Sequence, residues 1–140
     1  VVAASGWVQM QRYKGMLARR RHMIERYNEA FKLLNVAVLN HYDAEYISSG
    51  HLYLVRLLGK NREQTNHVIE QMAERGVATN VHYKPLPMMT AYKKLGFDIR
   101  DYPNAFHQFE NEITLPLNTK MTDDDLEYVI ANFVEIVSNL

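Results

Sequence analysis

The sequence of 140 residues contains no cysteine. This absence excludes a disulfide scaffold, a zinc site with thiolate ligands and a cysteine nucleophile. A charge excess is missing as well, because 16 basic side chains balance 16 acidic ones. The balance gives no electrostatic reason to expect a nucleic-acid or membrane partner, and no apolar run approaches the ~20 residues of a membrane span. What is present is the composition of an ordinary globular protein, with 47% hydrophobic and 23% charged residues.

Several motifs of enzyme chemistry are also missing. The sequence has no Gly-rich phosphate loop, no Gly-x-Ser-x-Gly nucleophile turn and no His-Glu-x-x-His helix. Two pairs, His67 with Glu70 and His107 with Glu110, have the spacing that places two ligands on one helical face. Their order is the reverse of the Glu-x-x-His motif of di-iron bundles. We therefore predict no metal site and interpret all six histidines as surface or partly buried residues: His22, His41, His51, His67, His82 and His107.

Two charge clusters have structural interpretations. The three consecutive aspartates, Asp123–Asp125, follow Thr122 in a shortened capping box, where the helix dipole favours carboxylates. The basic run Arg19–Arg21 would spread over more than half a helical turn, which is typical of a solvated face rather than a phosphate site. We expect neither cluster to bind a ligand.

The periodicity of apolar residues predicts one long helix over residues 1–34. A single apolar stripe of that length needs a surface to lie against, and the remaining residues can cover only part of it. We therefore expect the stripe around Trp7, Met10 and Tyr13 to be exposed or buried against another copy of the chain. The complete predicted stripe comprises Trp7, Met10, Tyr13, Leu17, Ile24, Tyr27, Phe31 and Leu34.

Residues 35–140 are predicted to form one small α+β domain. The pattern indicates strands, helices with caps at both ends, and a Thr122-capped final helix. The predicted architecture is an α/β sandwich, in which helices cover one side of a three- to four-stranded, mainly antiparallel sheet. The predicted strands are 51–58, 77–84 and 112–117, and the predicted helices are 61–75, 88–95, 103–110 and a last one from 122.

One candidate site emerges from the residues alone. The alternation along the predicted strand 77–84 places Asn80, His82 and Lys84 on one face, immediately before the rigid turn at Pro85 and Pro87. A histidine in this position can hydrogen-bond a ligand through either ring nitrogen. A purely structural role for the histidine stays open at this point.

Longer motifs carry a family resemblance. The stretches GVATNVHYKPLPMMTAY and PNAFHQFENEITLPLNTKMTDDDLEYVI resemble the C-terminal part of the DegT/DnrJ/EryC1/StrS family of pyridoxal-phosphate (PLP)-dependent sugar aminotransferases. The opening stretch AASGWVQMQRYKGMLARRRHMIERY is similar to the family's Ala-Ala-x-Gly-x-x-Gln helix. The resemblance covers essentially the whole chain. It implies the small C-terminal domain of a fold type I aminotransferase, with residues 1–34 as a connecting helix and residues 35–140 as the domain.

The resemblance also implies an activity for a longer parent enzyme. Members transfer an amino group from an amino-acid donor to a nucleotide-linked keto sugar, in cell-surface polysaccharide or related amino-sugar biosynthesis, and we expect a cytoplasmic homodimer. The family's Schiff-base lysine and phosphate-binding residues belong to a large N-terminal domain that precedes this region. We therefore expect no catalytic residue and no bound PLP in this chain, and predict that it is inactive alone. Its lysines are Lys14, Lys32, Lys60, Lys84, Lys93, Lys94 and Lys120.

The same resemblance assigns substrate-side residues. His82 and Tyr83 match the family's His-Tyr pair, which contacts the nucleotide sugar, and Asn80 lies beside them; Lys84 is interpreted as a surface or substrate-edge residue. Many members carry a histidine soon after the proline turn, where this chain has Pro87–Met88–Met89. The alternative prediction is a free-standing metabolite-binding or dimerisation module without catalysis.

Overall fold

The computed structural model describes residues 2–140, with the side chain of Val2 outside the description. These residues form five helices and three strands, together with short 3-10 turns at Leu86–Met88 and Ile99–Asp101. In chain order the elements are α1 (Val2–Ala30), β1 (Val36–Val38), β2 (Tyr53–Leu57), α2 (Arg62–Glu74), α3 (Thr90–Lys94), α4 (Pro103–Glu110), β3 (Glu112–Leu115) and α5 (Asp123–Ser138).

The sheet is antiparallel throughout and has the order β1-β2-β3. The central position predicted for the strand around residues 51–58 is confirmed, because Val55 pairs with Val38 on one side and with Ile113 on the other. Residues that pair across strands share a face. The register therefore separates an apolar face, which carries Val55 and Ile113, from a second face that carries the Arg56–Glu112 pair.

The hydrophobic core lies between the apolar face of the sheet and the three long helices, as predicted. The ring of Tyr27 in α1 stacks on Tyr53 of β2 at 4.6 Å between centroids, and Phe31 packs against Phe133 of α5 at 4.9 Å. The short helix α4 lies by the other face, where Arg56 donates to the carbonyl of His107. Further fully buried core side chains are Met23, Ile24, Val68, Met72 and Leu126.

Both predicted capping boxes are confirmed. Asn61 accepts a hydrogen bond from the backbone N–H of Gln64, whose side chain accepts from the backbone N–H of Asn61. Thr122 and Asp125 make the same exchange at the start of α5. At the other end of α2, Gly76 has a φ of 75° in the left-handed region, which glycine adopts without a Cβ clash. The glycine turns the chain toward the candidate site.

The strand predicted over residues 77–84 is wrong. The segment pairs with β3 only through one bridge, between Asn80 and Thr114. Side chains occupy the next backbone donors, because the Asn80 amide oxygen accepts from the N–H of Val81 and the Glu112 carboxylate accepts from the N–H of His82. With these donors engaged, the ladder cannot continue, and the structure has a sheet of three strands.

Helix α1 is shorter at its C-terminal end than the predicted 1–34. It ends at Ala30, after which the N–H of Leu34 bonds to the carbonyl of Phe31 in a tight turn toward β1. The stripe divides as expected. Its C-terminal part is in the core, whereas Trp7, Met10 and Tyr13 are 71%, 64% and 42% exposed in the single chain.

Candidate functional site

A small pocket lies where the segment around Asn80 meets the end of β3. Its volume is about 190 Å³. Polar and apolar residues line it together: His51, Leu52, Ala78, Asn80, His82, Thr114, Leu115, Pro116 and Leu117. Ligand pockets for whole small molecules commonly measure roughly 300–1,000 Å³. The pocket therefore has room for only a few atoms of a ligand.

His82 is the most constrained of the predicted site residues. Its backbone N–H donates to Glu112 Oε2 at 2.9 Å, and its ring Nδ1 lies 2.8 Å from Thr114 Oγ1. The Thr114 hydroxyl in turn donates to Glu112 Oε1 at 2.6 Å. The half-buried imidazole is thus held by two residues of β3, and Nε2 has no hydrogen-bond partner among residues 2–140.

Asn80 is exposed and lines the same pocket. Its backbone is fixed by two hydrogen bonds with Thr114, of 3.1 and 2.8 Å. Its side-chain oxygen accepts from the N–H of Val81 at 2.8 Å, so the amide NH₂ group is the part left for a ligand. The predicted neighbourhood of Asn80 and His82 is therefore present, although the predicted strand is not.

Tyr83 and Lys84 lie outward from the pocket. The Tyr83 ring meets the His82 ring edge-on at 4.6 Å and is 73% exposed. Lys84 is exposed as well. The phenol of Tyr83 therefore stands at the rim, where it could contact a part of a ligand that extends beyond the pocket.

Sequence reasoning missed Glu112 and Thr114. Glu112 is only 1% exposed and accepts two hydrogen bonds, which satisfies a carboxylate that burial would otherwise penalise. Burial lowers the pKa of the nearby Arg62, and attraction to Glu112 opposes that shift. The available signal was the alternation of polar Glu112 and Thr114 with apolar Ile113 and Leu115, which marks a polar second face on β3.

A second, apolar pocket follows directly in the chain. It has a volume of about 440 Å³ and lies among Pro85, Pro87, Tyr92, Phe97 and Tyr102. The departure from the family pattern at Pro87–Met88–Met89 falls between the 3-10 turn and α3. This pocket offers aromatic surface but few polar groups, so its chemistry suits an apolar contact.

The lysines of this chain do not fit a PLP-binding site. A PLP site needs a lysine for the Schiff base and a cradle for the phosphate. Six of the seven lysines are exposed, and the half-buried Lys60 lies in the turn before α2. The exposed Lys32 is paired with Glu29. None of the described lysines is thus buried.

The other clusters are engaged in structural contacts. Arg19 pairs with Asp123, and Arg21 pairs with Glu25 while it stacks over Tyr42 at 4.7 Å. Among the described residues, no group of three or more His, Asp or Glu side chains is arranged to hold a metal ion. None of the helices of residues 2–140 combines the length and apolarity needed to cross a bilayer.

Comparison with known proteins places this geometry in context. A model of the DegT/DnrJ/EryC1/StrS aminotransferase family matches residues 1–134. Among curated relatives, the spore coat polysaccharide biosynthesis protein SpsC of Bacillus subtilis is 29% identical over 96% of this chain and 36% of its own length. A UDP-4-amino-4,6-dideoxy-N-acetyl-beta-L-altrosamine transaminase of Campylobacter jejuni is 29% identical over the whole chain and 37% of its own length.

Solved structures give the same result. The proposed sugar aminotransferase Spr1654 of Streptococcus pneumoniae superposes with a TM-score of 0.92 at 45% sequence identity, over 96% of this chain and 34% of its own. The structures of that protein include a PLP form and a PMP form. The present chain therefore spans about a third of the length of the proteins it matches.

Proposed function

Because the chain belongs to the DegT/DnrJ/EryC1/StrS aminotransferase family, we propose that it is the C-terminal portion of a PLP-dependent aminotransferase. The parent enzyme transfers an amino group from an amino-acid donor to a nucleotide-linked keto sugar, in polysaccharide or related amino-sugar biosynthesis. The relatives support this substrate class, since they include a transaminase named for a UDP-linked amino sugar and a spore coat polysaccharide biosynthesis protein. We propose further that the parent acts as a cytoplasmic homodimer.

The observation that carries the proposal is the set of polar groups at the small pocket beside β3. Asn80 offers amide donors and His82 offers a free ring nitrogen on one wall, and Tyr83 offers a hydroxyl at the rim. These groups suit the hydroxyl-rich edge of a sugar. The pocket is too small for a whole nucleotide sugar, which agrees with a role as one wall of a larger cleft.

In this proposal the residues of the chain bind and orient the sugar, and residues elsewhere in the parent hold PLP. When bound there, PLP serves as the electron sink of amino transfer. Orientation by Asn80, His82 and Tyr83 would hold the sugar ketone in the position that amino transfer requires. We propose that the 140-residue chain is inactive by itself, because none of its seven lysines lies in the family's Schiff-base context.

The test compares the parent enzyme with the isolated chain. We expect the full-length protein to convert a UDP-linked 4-keto sugar to the amino sugar with glutamate or glutamine as donor, measured by mass spectrometry of the sugar nucleotide. We expect the 140-residue chain mixed with PLP to show no borohydride-sensitive visible absorption band and no product. A full-length protein that transaminates only non-sugar ketones would overturn the proposal, and so would a productive PLP complex of the isolated chain.

A further inference from the structure

We propose that Glu112 and Thr114 are positioning residues that fix the tautomer of His82, so that its Nε2 faces the pocket as a hydrogen-bond acceptor for a hydroxyl group of the ligand. The proposal deepens the proposed function and rests on it for the identity of the ligand as a sugar. The part that concerns the hydrogen-bond chain rests on the geometry alone.

The direction of the chain of hydrogen bonds follows from counting protons. As a carboxylate Glu112 can only accept, and its Oε2 accepts from the backbone N–H of His82. Its Oε1 therefore accepts the single hydroxyl proton of Thr114, at 2.6 Å. The Thr114 oxygen must then accept from His82 Nδ1, 2.8 Å away, which places the proton of the neutral ring on Nδ1.

The consequence lies at the other ring nitrogen. With Nδ1 protonated, Nε2 of the neutral imidazole holds a lone pair and no proton. This lone pair attracts an O–H or N–H donor and repels a phosphoryl oxygen. The arrangement thus selects the hydroxyl-bearing part of a sugar nucleotide, rather than its diphosphate, for contact with His82.

The anchor of the arrangement is a backbone group. A side-chain amide or hydroxyl can rotate, but the N–H of His82 can only donate, and it is 2.9 Å from Glu112 Oε2. Burial of Glu112 at 1% exposure keeps water from replacing either hydrogen bond. The tautomer of His82 is therefore set by the two accepting oxygens of Glu112, which act on the ring through Thr114.

The isosteric substitution Glu112→Gln tests this logic directly. The glutamine oxygen must accept from the N–H of His82, so its NH₂ group faces Thr114 and donates to the hydroxyl oxygen. The Thr114 hydroxyl then donates to His82 Nδ1, and the proton of the ring moves to Nε2. We expect the substitution to invert the tautomer while the ring stays in place.

The measurement is a long-range ¹H–¹⁵N NMR spectrum of the 140-residue chain labelled at histidine, recorded at a pH high enough for neutral rings. We expect a protonated Nδ1 for His82 in the unaltered chain, the inverse in Glu112→Gln, and the original pattern in Thr114→Ser. The matched control Glu110→Gln alters the partner of His107, which is 2.9 Å from Glu110, and leaves the His82 signals unchanged. A protonated Nε2 in the unaltered chain overturns the proposal, as does an unchanged tautomer in folded Glu112→Gln.

A kinetic measurement on the parent enzyme tests the ligand side. Because inverted His82 presents a donor instead of an acceptor, Glu112→Gln should raise KM for the keto sugar nucleotide by about tenfold, the effect of one lost hydrogen bond. The half-reaction with the amino donor alone should be unchanged, which a general loss of folding would not permit. If the tautomer inverts but KM does not change, the acceptor role of Nε2 is refuted and the proposed aminotransferase function stands. If the unaltered enzyme transfers no amino group to sugars, the proposed function is refuted. The NMR result then still tests whether Glu112 and Thr114 fix the tautomer of His82.

Discussion

Among single residues, buried polar groups affect the stability of the fold most directly, because a buried group without a hydrogen-bond partner lowers the free energy of unfolding. Glu112 and Thr114 meet this need for a partner through His82, as described above. His41 meets it only in part. Its Nδ1 is 3.2 Å from Ser48 Oγ and its ring lies parallel to that of Tyr53, but its buried Nε2 has no partner in the described part of the chain.

His41 should make the stability of the fold depend on pH. Burial lowers its pKa in the native state, so the native state binds a proton less readily than the unfolded state does. The contribution to stability is therefore complete above the ordinary pKa of histidine, about 6.5, and is lost as the pH falls from there through the lowered pKa of the native state. We expect His41→Phe to flatten the decrease in the free energy of unfolding between about pH 7.5 and 5.5, measured by urea denaturation.

The control for this experiment is His67→Phe, because His67 is exposed on α2. We expect His67→Phe to leave the pH dependence of the free energy of unfolding as it is in the unaltered chain. An equally steep loss of stability in His41→Phe would show that His41 is not the group responsible.

Two leucines provide a matched test of the core. Leu126 lies in α5 and is 1% exposed, whereas Leu33 lies in the turn after α1 and is 98% exposed. Leu126→Ala should lower the free energy of unfolding by about 2–5 kcal/mol, from lost burial and the cavity left behind. Leu33→Ala should change it by less than about 0.5 kcal/mol. Similar losses for the two variants, measured by chemical denaturation, would contradict the assigned core.

At the scale of elements, α1 has two halves with different surroundings. Met23, Ile24 and Tyr27 are fully buried in the core, whereas the first half carries Trp7 and Met10 on an exposed apolar stripe. A helix of this kind is stabilised by packing along one half only. In the proposed parent enzyme, the exposed half would be available to residues outside this chain or to a second copy.

The exposure of the first half can be measured with the single tryptophan of the sequence. Trp7 is 71% exposed, so its fluorescence in the dilute 140-residue chain should be quenched by acrylamide nearly as strongly as that of a free tryptophan derivative. Amide hydrogens of residues 2–15 should exchange faster than those of residues 23–30, because local opening is easier where few contacts hold a helix. A shielded Trp7 that becomes accessible on dilution would instead indicate a second copy on the stripe.

Sequence patterns predicted most of these elements for physical reasons that are local. The caps at Asn61 and Thr122 and the stop at Gly76 depend on neighbours within a few residues, and all three are present. The strand at 77–84 was wrong because the alternation of side chains says nothing about which group takes each backbone hydrogen. There the acceptors are the side chains of Asn80 and Glu112, and Glu112 is 30 residues distant from the His82 donor.

At the scale of the whole molecule, the fold and the family agree. The sequence predicted a small antiparallel sheet covered by helices, and the structure and its solved neighbours have that architecture. The sequence could place Asn80, His82 and Tyr83 near one another, because they lie close together in the chain, and their role as ligand-binding residues stays a prediction. It could not reveal Glu112 or Thr114 as their partners, since that contact forms only when β3 packs beside the segment.

We propose that His82 belongs to the sugar-binding wall of the parent aminotransferase. The most direct test of this proposal is the steady-state kinetics of His82→Ala in the full-length enzyme, with His67→Ala as the matched control on an exposed face. We expect His82→Ala to raise KM for the keto sugar nucleotide by roughly 5- to 100-fold, because one hydrogen bond to the ligand is lost. The half-reaction with the amino donor should be unchanged. Unchanged KM and kcat toward the sugar nucleotide would contradict the proposal.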